Sequence, residues 1–64
     1  MVSIVHLAWL ESRLRANQIF AGRALSRCRS TDPAERLLGI LEVGKFNRAV
    51  AYWRRKIKEA TAAN

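Results

Sequence analysis

Ser30-Thr31-Asp32-Pro33-Ala34-Glu35 is the one short stretch of this chain that says where a helix must begin. Asp32 can accept a hydrogen bond from the first unpaired backbone N–H groups of a helix, and Pro33 has no N–H to lose at the first helical position. Glu35 falls three residues after the cap, where a carboxylate can reach back to the cap's own N–H. The spacing predicts a second helix that starts at Pro33.

Upstream of that signal, residues 2–29 contain no proline and one glycine, Gly22, among good helix formers such as Ala, Leu, Arg and Gln. A first helix over about 2–29 is expected. Downstream, no further proline interrupts the chain, so the second helical segment is expected over 33–62. The fold class is all-α, a helical hairpin or three-helix module in a single domain spanning 1–64. Folding the hairpin about Thr31 brings Trp9 to the level of Trp53.

Gly44 decides between hairpin and three helices. At 100° per residue, Ala34, Leu37, Leu38 and Leu41 gather on one side of the second segment. Val43, Phe46, Val50, Trp53, Ile57 and Ala60 gather roughly 150° away. Either the helix breaks near Gly44 and both stripes turn toward one core, or a straight rod offers its two halves to two different partners. Glycine costs about 1 kcal/mol against alanine inside a helix and is favoured just past a helix end, which tips the expectation slightly toward a break.

The first segment also carries two stripes. Leu7, Leu10, Leu14, Ala21, Ala24, Leu25 and Cys28 follow the 3-4 spacing of a bundle seam, while Val5, Trp9, Ala16, Ile19 and Phe20 lie on a second face. One neighbouring helix cannot cover both. Two neighbours can, either helices two and three of the same chain or the equivalent helix of a second copy; a homodimeric bundle is expected, with Val5, Trp9, Ile19, Phe20, Phe46, Val50, Trp53 and Ile57 as candidates for the interface with that copy or with another protein.

Composition limits what such a module can do. Half of the 64 residues are apolar and 27% are charged, the balance of a chain that folds. A core this small only marginally offsets the entropy of ordering, at roughly 1.5 kcal/mol per residue, unless something staples it. Cys28 is the only cysteine and His6 the only histidine, which excludes an intrachain disulfide and leaves too few ligands for a zinc site. On one helix the two would lie more than about 30 Å apart, too far to form a nucleophile and its base. Cys28 reads as a small seam residue and His6 as a polar interruption of an apolar turn. Gly22, Gly39 and Gly44 are isolated and form no phosphate loop. No catalytic residue, metal, cofactor or small-molecule substrate is expected.

Charge points to the class of partner. Twelve Lys and Arg against five Asp and Glu give a net charge of +7, and nine of the twelve are arginine. Lys45, Arg48, Tyr52, Arg55 and Lys56 share one helical face, opposite Phe46, Val50, Trp53 and Ile57, with Arg54 and Lys58 on its flanks and only Glu59 diluting it. Such a row can meet phosphates, and Tyr52 can stack on a base or bond a backbone oxygen. Nucleic acid or an acidic protein surface is the expected partner of this row, against the blander reading of a solvated face that keeps the protein soluble. The alternative function is a small inhibitor or adaptor that docks an apolar and aromatic stripe on a target protein.

Other readings fit less well. A helix-turn-helix pivoting at Gly44 would bring Asn47, Arg48 and Ala51 to base edges, but it puts Lys45 at a usually buried position and Ile40 where close crossing favours a small residue. Arg23, Arg27, Arg29 and Arg36 cluster near the turn, where the helix dipole already favours Arg27 and Arg29. Docking on a membrane surface is not favoured, and Met1 to Leu10 lacks both the leading cations and the cleavage site of a secretion signal. The lone free cysteine suits a reducing, cytoplasmic setting.

Overall fold

In the computed structural model, which describes residues 3–62, Ser3 opens the first helix. Its backbone is extended, and its side-chain oxygen accepts a hydrogen bond from the Val5 N–H at 3.2 Å. Helix α1 runs Ile4–Arg27. The expected start at residue 2 lies outside the described residues. At the other end, Cys28 is the cap, and the Arg29 and Ser30 N–H groups donate three residues back, to Ser26 and Arg27 carbonyls. This tightening accounts for helix α1 stopping two residues before the expected boundary at 29.

Helix α2 runs Pro33–Ala62, with Pro33 at its first position as the sequence requires. Asp32 Oδ1 accepts from the Ala34 N–H at 3.1 Å. The reciprocal half of the cap differs from the expected box. The Asp32 N–H donates to Ser30 Oγ at 3.1 Å, and that hydroxyl in turn donates to Glu35 Oε2 at 3.1 Å. Glu35 therefore reaches the cap nitrogen through the Ser30 hydroxyl.

The two helices pack against each other as an antiparallel hairpin, and no strand occurs among the described residues. Trp9 lies against Trp53, as folding about Thr31 requires, with ring centroids 5.5 Å apart and planes nearly perpendicular. Phe20 meets Phe46 at 5.4 Å. Arg27 Nη1 and Glu42 Oε1 form an ion pair at 2.7 Å across the helices near the turn.

Helix α2 passes through Gly44 without a break, so the favoured expectation of a third helix is corrected, and with it the helix-turn-helix. One glycine costs about 1 kcal/mol, which the hydrogen bonds and packing of a 30-residue helix absorb. The consequence is that only one of the two stripes on α2 faces α1. Phe46, Val50, Trp53 and Ile57 are half-buried there, whereas Leu37, Leu38, Ile40 and Leu41 remain 54–62% exposed.

The seam is thin. Among the described residues Leu10 and Ala24 are the only buried apolar side chains, and Gly39 is the only buried residue of α2. The molecule is a rod with principal extents of 49 × 15 × 11 Å and a radius of gyration of 14.8 Å, against about 11 Å for a globule of this length.

Candidate nucleic-acid interface

The C-terminal half of α2 owes its orientation to the stripe that α1 covers. With Phe46, Val50, Trp53 and Ile57 turned inward, 100° steps put Arg48 and Arg55 within about 20° of the outward direction. Lys45, Tyr52 and Lys56 then fall toward one flank, Arg54 and Lys58 toward the other. All seven are exposed. From Lys45 to Lys56 the row is about 16 Å long at 1.5 Å per residue, close to half a turn of duplex.

Its charge is concentrated. Residues 45–58 hold six of the twelve cations and no carboxylate. Glu59 is the first acid after them, and its Oε2 lies 3.8 Å from Lys56 Nζ. Among the described residues this is the only ion pair in the row. Arg48 folds back along the helix, with Nη1 3.4 Å from where a side chain on Gly44 would begin. Lys45 Nζ lies 5.5 Å from the centre of the Phe46 ring, and Lys56 Nζ lies 5.5 Å from that of Tyr52. Such contacts are worth about 0.5–1 kcal/mol at exposed sites, weak enough for a phosphate to displace.

One edge of this surface includes residues that the charge row does not contain. Tyr52 meets Trp53 edge-on at 5.0 Å, Trp53 meets Trp9, and His6 stacks on Trp9 at 6.2 Å. The Arg13 guanidinium sits 5.8 Å from the Trp9 ring centre and 5.9 Å from that of Trp53. Arg13 thus brings a cation from α1 to the edge that carries Tyr52 and Lys56. The signal was present in the spacing of Trp9 and Arg13, four residues apart on one helix, but it becomes a site only once Trp53 arrives from α2.

The remaining candidates fall in two groups. Val5, Trp9, Ile19 and Phe20 are 42–79% exposed on α1, although Trp9 and Phe20 each share a ring contact with α2. Phe46, Val50, Trp53 and Ile57 are largely taken up by α1. The arginine cluster at the turn is divided, since Arg27 pairs with Glu42 while Arg23, Arg29 and Arg36 stay exposed.

Among the described residues there is no cavity and no group of three side chains that could hold a metal ion. His6 and Cys28 stand about 33 Å apart along the axis of α1. No described helix is long and apolar enough to cross a membrane. Compared with family models, curated proteins and solved structures, the chain matches none of them.

Proposed function

We propose that this chain is a non-catalytic regulatory module that binds nucleic acid stoichiometrically through the outer face of α2, with Lys45, Arg48, Arg55 and Lys56 on phosphates and Tyr52 against a base or a backbone oxygen. The observation that carries the reading is the straight helix. The apolar stripe of its C-terminal half is covered by α1, so six cations without an intervening acid are left on the outside of a rod of suitable length. The single free cysteine suits work in a reducing cytoplasm.

Binding of a fluorescent oligonucleotide, duplex and single-stranded, tests the proposal over a salt series. Affinity should fall steeply with salt as condensed counterions are released, and the combined change of Lys45, Arg48, Arg55 and Lys56 to Gln should abolish it. Unchanged binding by that variant would remove the reading.

A second reading has its own observation. The open α1 face with Val5, Trp9, Ile19 and Phe20 offers aromatic anchors of the kind that protein interfaces favour. On this reading the chain is an inhibitor or adaptor whose partner is an acidic protein, and recovery of one partner after nuclease treatment, dependent on Trp9, is the supporting result.

A further inference from the structure

The half of the hairpin away from the turn gathers more aromatic surface than the seam covers. Counting 100° per residue from the buried Leu10, Arg13 stands about 60° and Trp9 about 100° to one side of α1. The flank of α2 that carries Tyr52 and Lys56 adjoins them, since the Trp53 ring centre lies 5.5 Å from that of Trp9 and 5.0 Å from that of Tyr52. Both helices thus contribute to one face. Trp53 is half-buried in its middle, while Trp9 and Tyr52 stay 49% and 43% exposed. Each of the two outer rings has a cation beside it, Arg13 at 5.8 Å from the Trp9 centre and Lys56 at 5.5 Å from the Tyr52 centre. Arg13 belongs to no ion pair among the described residues.

We infer, granted that nucleic acid is the ligand, that the preferred form is a single strand, with bases laid against Trp9 and Tyr52 and phosphates on Arg13 and Lys56. Three observations select it over a duplex. The first is the rings themselves. A duplex keeps its bases stacked on one another and offers an aromatic side chain no base face, whereas unpaired bases do. The second is spacing. With Trp53 between them, the Trp9 and Tyr52 centres are at most about 10.5 Å apart. That is about three stacked steps at roughly 3.4 Å per nucleotide, so one short run of strand reaches both.

The third is direction. Arg48 and Arg55 point away from α1, whereas Arg13 stands on α1, so a ligand that meets all three must bend around the side of α2. A single strand bends freely, and a duplex, with a persistence length of about 150 base pairs, does not.

Both tryptophans of the chain lie in this cluster, so its own emission reports on the site. Added to the nuclease-treated full chain, a short oligothymidine should quench that emission. It should also bind at least about fivefold more tightly than a duplex of equal length at the same salt, the lower end of what one stacked base contributes. Tyr52→Leu, at an exposed position, should lose about that fivefold on oligothymidine and less than about twofold on the duplex. Tyr52→Phe keeps the ring and should bind the strand as the parent does. Arg13→Gln should lower the slope of log K against log salt by about 0.7 on the strand and leave the duplex slope unchanged. The quenching needs no variant, so it decides even where a substitution loosens the fold. A duplex that binds as tightly as the strand, with Arg13→Gln and Tyr52→Leu silent while the combined Gln change of Lys45, Arg48, Arg55 and Lys56 abolishes binding, overturns the inference and leaves the outer row as the site. Binding of neither form, with or without flotation on anionic vesicles, overturns both.

Discussion

Gly39 lies so close to Cys28 that a methyl group on Gly39 would sit 2.7 Å from the Cys28 backbone nitrogen. The same methyl would meet Arg27 Cβ at 2.8 Å and the Ala24 carbonyl oxygen at 2.9 Å. Two of these three atoms are backbone, which cannot swing aside. The end of α1 therefore rests directly on the main chain of α2, at the level where Ala24 is buried.

Gly39→Ala gains about 1 kcal/mol of helix propensity but must push two helices apart, at a cost of about 1–3 kcal/mol. The net is a loss of up to about 2 kcal/mol, visible as a lower urea midpoint. A variant more stable than the parent by the full propensity gain of about 1 kcal/mol would show that the helices do not approach this closely.

Gly44→Ala should do the opposite. Its methyl would meet only the Arg48 guanidinium, at 3.4 Å, the mobile tip of a long side chain. With α2 continuous at this position, the substitution should raise stability by about 0.5–1 kcal/mol in thermal or urea unfolding. Destabilisation would mean that the chain bends at Gly44.

These two glycines mark where the sequence could be read and where it could not. Asp32 and Pro33 act through bonds to near neighbours, so the start of α2 was legible, as was the matching of Trp9 with Trp53 once the turn was placed. Gly39 and Gly44 look alike as letters. One is required by a neighbouring helix and the other is not, a distinction that arises only in three dimensions. The change of side between the two α2 stripes was also legible, but its resolution was not, because a weak local preference for a break competed with the cohesion of a long helix. In the candidate site the cation row could be read from α2 alone. Arg13 could not, since its partner Trp53 is contributed by the other helix.

Ser30 links Asp32 to Glu35, accepting from the Asp32 N–H and donating to the Glu35 carboxylate. Ser30→Ala removes both bonds while leaving the Asp32 cap on Ala34. A loss of about 1 kcal/mol is expected, comparable with the loss of a helix cap, and Asp32→Ala should cost a similar amount. Ser30→Ala without effect in urea unfolding would show that Glu35 does not act through this hydroxyl.

Trp9 and Trp53 can be examined by a double-mutant cycle. Each to Ala removes packing, and the edge-on contact should appear as a loss in the double variant about 0.5–1.5 kcal/mol smaller than the sum of the single losses. Because Arg13 lies close to both rings, Arg13→Gln should change the tryptophan emission of the parent. Additive losses would place the rings out of contact.

The salt dependence of nucleic-acid binding can be set in advance from the row itself. If Lys45, Arg48, Arg55 and Lys56 each neutralise one phosphate, the slope of log K against log salt contributed by one chain is about −3.6 on duplex and about −2.8 on a single strand. Arg55 faces outward and belongs to neither ion pair found among the described residues. Arg55→Gln should therefore lower the duplex slope by about 0.9 per chain and change stability by no more than about 0.5 kcal/mol. Lys56 is shared with Glu59, so Lys56→Gln should lower the slope less, and Glu59→Gln should raise affinity at low salt. A slope that ignores Arg55 but responds to Arg23 or Arg29 would move the contact from the outer face of α2 to the turn.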